Sequence, residues 1–132
     1  MKCYVKDYPR PQFVRNNWEN LNGTWDFRFD DENVGEIQKW YQDFKGELSI
    51  QVPFTFETKL SGIQDETRHD NIWYRRTIQV DASRLVDHNY ILHFEGSDYI
   101  SVFHSNYSVA TGCNGIVVRY DNNCRTFFVY VA

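Results

Sequence analysis

Short runs of alternating apolar and polar residues, bounded by Gly, Asn, Asp or Ser, recur along most of this sequence, and they limit what it can fold into. In Asn22–Phe29, "NGTWDFRF", Trp25, Phe27 and Phe29 point one way while Thr24, Asp26 and Arg28 point the other, the pattern of a half-buried strand. "ELSIQVP" alternates in the same way, with Leu48, Ile50 and Val52 on one side, and Pro53 closes it. "NIWYRRTIQV", "NYILHFEG", "DYISVFHS", "NGIVVRYD" and "RTFFVYVA" are further strand-length runs. Many short strands with turn signals between them and almost no helix predict an all-β chain, a β-sandwich or jelly roll. The one helical signal is "EIQKWYQDF", where Ile37, Trp40, Tyr41 and Phe44 lie three and four residues apart; it reads as a short helix or an irregular crossing.

At 132 residues the chain suits one domain with one core. Aromatic residues are 17% of it, enough bulk to fill that core, and the 24% charged fraction argues against disorder. Residues 1–19 are polar, contain Pro9 and Pro11 and have no period, so we read them as an arm laid over a domain formed by residues 20–132. The formal charge of −4, with no basic run, makes nucleic acid and anionic membrane poor partners. No apolar stretch approaches the roughly 20 residues that span a bilayer. The start, "MKCYVKDYPRP", meets charge and proline before any apolar segment and does not read as a secretory signal. Cys3, Cys113 and Cys124 are odd in number, which favours reduced thiols and a cytoplasmic location, with a Cys113–Cys124 disulfide as the alternative.

The third strand raises a specific question. Extended, it places Ile72, Tyr74, Arg76, Ile78 and Val80 on one face, so a guanidinium stands in an apolar row. Arg75 falls with Trp73 on the other face, where water is expected. An unpaired buried arginine costs several kcal/mol or more, so Arg76 is expected to be structural, fixed to a carboxylate such as Asp26, Glu95 or Asp98. Tyr74 beside it and Trp25 in the first strand are read as structural too.

Catalytic and metal signals are weak. His69, His88, His93 and His104 are scattered, with no paired spacing, and the cysteines lack CxxC spacing, so no metal site is expected. No Gly-rich phosphate loop and no GxSxG context occurs, so no nucleotide or other cofactor and no nucleophile-elbow hydrolase is expected. Eighteen acidic residues leave room for a glycosidase carboxylate pair, but nothing marks one, and no catalytic residue is assigned. The long loop from Phe54 to Asn71 exceeds the usual length of about 4–6 residues, and such loops tend to be functional or to fold back on themselves. Its end, "SGIQDETRHDNIW", combines planar hydrogen-bonding groups with an aromatic ring, the mixture that sugar sites use. Asp65, Arg68, His69, Asp70, Asn71 and Trp73 are therefore the candidate carbohydrate contacts, against the plainer reading of a solvated polar loop.

"YPRPQFVRNNWENLNGTWDFRFDDENVGEIQKWY", "IQVPFTFETKLSGI", "NIWYRRTIQV" and "YILHFEGSDY" occur in that order. Together they resemble the N-terminal sugar-binding domain of glycoside hydrolase family 2, the β-galactosidases and β-glucuronidases. The resemblance covers roughly two thirds of the chain, from Tyr8 to Tyr99. It implies a jelly roll of the galactose-binding-like kind, and places Arg76 on the arginine of the family's Trp-Tyr-x-Arg strand. In that family an immunoglobulin-like sandwich and a (β/α)8 barrel with both catalytic glutamates follow this domain. The barrel is absent from this sequence, so the expectation is a non-catalytic sugar-binding or scaffold domain, inactive alone, of or derived from a β-glycosidase acting in carbohydrate metabolism. The alternatives are a free-standing carbohydrate-binding module and an interaction domain that self-associates through the face that once docked on the barrel. The last third departs from the family pattern: Tyr107 follows Asn106 where the family has Gly, and "GCNGI" from Gly112 stands in place of His-x-Gly-Gly-Tyr. That fits a divergent but complete domain ending in "TFFVYVA", which we prefer, or a truncated or frame-disturbed product.

Overall fold

The computed structural model describes residues 18–44, 46–78, 92, 94, 100–105, 109–112 and 126–131, with 105, 109–112 and 126–131 as backbone only. The proposed arm falls almost wholly outside these residues. So do the three cysteines, His88, His93, Glu95, Asp98, "GCNGI" beyond Gly112, and the strands expected at "NYILHFEG" and "NGIVVRYD".

Among the described residues there are six strands: β1 (Gly23–Phe29), β2 (Leu48–Val52), β3 (Ile72–Thr77), β4 (Ser101–Ser105), β5 (Val109–Gly112) and β6 (Thr126–Val131). They form one sheet in the order β2-β1-β3-β6-β4-β5, and every pairing is antiparallel. The chain is all-β, a β-sandwich as its alternating runs predict. β5 was not expected, because "VATG" offers little apolar patterning to separate it from a loop.

The register shows how alternation becomes packing. Phe27 lies opposite Tyr74, and across the sheet Phe103 falls on the same face. On that face Trp25, Phe27, Ile50, Phe56, Ile72 and Phe103 form the principal core, with Leu21, Phe29, Val52, Ile63, Tyr74 and Phe94 packed around it. Phe27 is the hub. Its ring meets Phe29 edge-on at 4.9 Å and Tyr74 edge-on at 5.0 Å, geometries that contribute about 0.5–1.5 kcal/mol each beyond area burial. Trp25 is anchored as well as buried: its indole N–H donates to the Leu21 carbonyl at 2.8 Å.

The opposite face corrects the sequence reading. Arg28, Trp73, Val102, Asp26, Arg75 and His104 share it by register, and it was expected to face water at β3. Instead the segment between β1 and β2 crosses it, and Trp40, Phe44 and Trp73 form a second apolar cluster with Val34, Tyr41 and Val102. Trp73 is completely buried. The crossing is the irregular alternative rather than a helix. Turns run through it, and Lys39 adopts φ 55°, a left-handed conformation that interrupts α-helical geometry. The break takes Ile37 out of the apolar stripe, leaving it 80% exposed while Trp40 and Phe44 are buried.

Candidate functional site

Asp30 joins the crossing to the sheet. It follows β1 directly, is buried, and accepts three hydrogen bonds: Val34 N–H to Oδ1 at 2.8 Å, Gly35 N–H to Oδ2 at 2.9 Å and the Trp73 indole N–H to Oδ2 at 3.0 Å. A short acidic side chain folds back on the next turn in this way because it can stand in for a backbone acceptor. Gly35 is required by space: a Cβ there would lie 2.4 Å from Trp73 Nε1 and 2.7 Å from Asp30 Oδ2. The sequence reading missed this arrangement, although "FDDENVG", an aspartate at a strand end before Asn and Gly, carried its local half.

Beside the second apolar cluster the same face also carries polar pairs. Arg75 donates from Nε (2.8 Å) and Nη2 (2.5 Å) to Asp26 Oδ2 and from Nη1 to the Phe44 carbonyl at 3.1 Å. Asp26, expected to pair with Arg76, is thus engaged by the neighbouring arginine. Arg76 itself is only half-buried and donates from Nη1 to the Thr24 carbonyl. Its place on the apolar face is tolerated because the long side chain reaches a backbone acceptor at the start of β1. His104 lies between the rings of Tyr41, stacked at 4.2 Å, and Trp73, at 5.8 Å, with Nε2 2.5 Å from Glu36 Oε1.

The loop from Phe54 to Asn71 folds back on itself around a 3-10 turn at Lys59–Ser61. Ser61 is fully buried; its hydroxyl donates to the Thr58 carbonyl at 2.7 Å and accepts from Ile63 N–H at 3.0 Å. The predicted sugar contacts divide on this frame. Trp73 presents no ring face to a ligand, because the crossing covers it: alternation alone gives the third strand one wet face, and that face is a second core. Asp65 and His69 are brought together and turned on each other, with Nε2 of His69 3.3 Å from Asp65 Oδ2. Arg68 and Asp70 pair with each other at 2.8 Å, side chains 86% and 67% exposed. The Asn71 carbonyl accepts from Asp30 N–H at 2.9 Å, joining the loop end to the end of β1. The aromatic platform expected at Trp73 is therefore not built, while an outward polar rim is.

His69 is the most constrained member of the rim. Its side chain is 11% exposed and stacks on Phe29 at 3.7 Å, with Phe56 edge-on at 5.6 Å. Nδ1 lies 2.7 Å from Asp31 Oδ1. Burial disfavours the charged ring, but hydrogen bonds and charge from Asp31 and Asp65 outweigh it, so the imidazole is held above its ordinary pKa. A histidine raised in the folded state adds stability that is fully present below the unfolded value, about 6.5, and is lost as pH rises through the folded value. Hydrogen bonds from the Thr67 hydroxyl and backbone N–H lower the Asp65 pKa. Tyr74 is pushed up to about 12 by burial, with the Glu57 charge adding to it. Among the described residues no group of His, Cys, Asp and Glu is placed to hold a metal ion, and no helix is long and apolar enough to cross a membrane.

The sequence matches no protein-family model and no curated protein. Its fold has counterparts among solved structures. A Ruminococcus gnavus β-glucuronidase superposes with a TM-score of 0.67 at 20% identity, covering 86% of this chain and 20% of that one. The same organism's enzyme in complex with D-glucaro-d-lactam gives 0.69 at 19%, covering 89% and 22%, and in complex with D-glucuronic acid 0.67 at 18%, covering 89% and 23%. This chain has the fold of part of a β-glucuronidase. It spans about a fifth of the length of those β-glucuronidase chains, and at this identity the likeness is one of fold.

Proposed function

We propose that the chain is a non-catalytic accessory domain of, or descended from, a glycoside hydrolase family 2 β-glycosidase, a β-glucuronidase or β-galactosidase, and serves it chiefly as a scaffold. The observation that carries this reading is the superposition of nearly nine tenths of the chain on about a fifth of a β-glucuronidase, together with four sequence segments that resemble that family in order. The buried Trp73 favours scaffold over binding module, since a sugar site without an aromatic platform retains only the polar half of the usual recognition. Contact with carbohydrate is then weak or indirect and confined to the exposed Asp65–Asn71 rim. The chain alone does not hydrolyse glycosides, works in the cytoplasm, and meets other proteins through the face that docks on the rest of such an enzyme, a second copy included.

The test is an amide NMR titration of the isolated chain with galactose, glucose, mannose, glucuronate and lactose, alongside a turnover assay on nitrophenyl β-glycosides. Flat spectra, or small non-saturating shifts confined to residues 65–71, without turnover, support the scaffold. Tight saturable binding would make the chain a carbohydrate-binding module in its own right, and turnover abolished by substitution of one of its own carboxylates would make it an enzyme.

A further inference from the structure

His69 and its neighbours form a network with a proton count that can be worked out from the contacts alone. Nδ1 faces Asp31 Oδ1 at 2.7 Å; Nε2 faces Thr67 Oγ1 at 2.9 Å and Asp65 Oδ2 at 3.3 Å. Thr67 Oγ1 is in turn 2.5 Å from Asp65 Oδ1, which also accepts the Thr67 backbone N–H at 2.9 Å. A hydroxyl has one proton. If Thr67 donates it to Asp65, Nε2 must carry a proton of its own, and Nδ1 must carry one to meet Asp31. Every contact is then satisfied, and the ring is an imidazolium.

Each neutral form breaks a contact. With the proton on Nδ1 alone, the Nε2 lone pair faces oxygen, or the hydroxyl turns to Nε2 and leaves its oxygen 2.5 Å from Asp65 with no proton between them. With the proton on Nε2 alone, the Nδ1 lone pair faces Asp31 at 2.7 Å. Burial opposes the charged form, and among the described residues it is the groups that meet the ring nitrogens that outweigh it. Phe29 of β1 lays its ring face on the imidazole, the side of an aromatic ring that attracts a cation, and Phe56 of the loop contributes an uncharged ring set edge-on. Asp31 and Asp65 are the charges that meet its nitrogens, and Arg68 and Asp70 point outward and pair with each other.

We propose that His69 is a proton-operated clasp: doubly protonated, it ties the Asp65–Asp70 arm of the long loop to Asp31 in the turn after β1, and on losing a proton it releases that arm. The clasp concerns the shape of the loop and operates whatever the loop contacts. Asp31 and His69 are 38 residues apart in sequence, so its opening removes the arm's tie to Asp31 while the backbone bond from Asp30 to Asn71 and the Ser61 turn, held by its own bonds, stay closed.

The experiment is a side-chain imidazole and backbone amide NMR titration of the chain from about pH 5 to about pH 9, with the His69 signals assigned by their loss in His69→Gln. A His69 midpoint above about 6.5, with the Asp31 and Thr67 amides inflecting at that same midpoint, is the expected result. In Asp31→Asn the midpoint falls and the Thr67 inflection moves with it. A His69 midpoint at or below the ordinary value, or amides at 31 and 67 that pass through it unchanged, overturns the clasp. The titration of the unsubstituted chain is decisive by itself, so the clasp stands or falls on it even if Asp31→Asn fails to fold.

Discussion

Replacing Asp30 with alanine is the sharpest test of how the crossing is held. The side chain satisfies three donors, and two of them, Gly35 N–H and the Trp73 indole N–H, are buried with their residues. Val34 is half-buried and its N–H has a route to water. A buried donor stranded without a partner costs about 1–3 kcal/mol, so the two buried donors together cost about 2–6 kcal/mol, against a total stability of about 5–15 kcal/mol for a domain of this kind. Asp30→Asn keeps one acceptor oxygen and turns an NH2 group toward the remaining donors, which places it between alanine and the native protein. The backbone bonds of Asp30, from its N–H to Asn71 and from Asn33 to its carbonyl, are unchanged by either substitution. Urea denaturation followed by tryptophan fluorescence measures the effect, with exposed Glu32→Gln as a control expected to stay within about 0.5 kcal/mol. The midpoint is expected to fall sharply for alanine at unchanged slope. A loss below about 1 kcal/mol would show that the crossing rests on the apolar contacts of Trp40 and Phe44, and that the hydrogen bonds to Asp30 are incidental.

Two further outcomes follow from neighbouring observations. Gly35→Ala forces a methyl group into the fully buried indole of Trp73, and thermal unfolding should show a loss of about 1–3 kcal/mol; an unchanged midpoint would mean that the ring can shift at no cost. In an alkaline absorbance titration Tyr74 should remain a phenol where exposed tyrosines ionise near 10 and titrate only at about 12, so Tyr74→Phe should remove the highest step and leave the lower ones. Loss of a lower step instead would contradict the burial argument.

The strands at Gly23–Phe29, Leu48–Val52 and Ile72–Thr77 were legible because period-two patterning needs only local sequence. So was the principal core of Trp25, Phe27 and Ile50. What alternation cannot reveal is whether the second face of a strand is covered. Trp73 and Arg75 look like an outward row until residues 30–44 are laid across them, and that covering depends on a turn whose left-handed Lys39 spoils the helical spacing of the segment. The two adjacent arginines of β3 show the same limit: the one beside Asp26 on the sheet was the one assigned to water. At the loop, the residues of the polar rim were found by composition. His69 looked ordinary because its decisive partner, Asp31, comes from the distant turn after β1, although Asp65-x-Thr67-x-His69 held the local part of the network in plain view.

The Asp30 turn also orders events during synthesis. A chain emerging from the ribosome can close the contacts of Asp30 with Val34 and Gly35 as soon as those residues are free, because only four and five positions separate them. The third donor lies 43 residues beyond Asp30, and the β1 to β3 ion pair spans 49. Between those moments the closed turn has a vacant seat where the indole belongs, and the apolar side of the crossing has no sheet beneath it. Contacts of such long sequence separation form slowly, since the entropy of closing the intervening loop must be overcome before they gain anything. The nascent β1 to β2 hairpin is consequently the species with its second face bare, and the stage at which a chaperone has the most apolar surface to hold.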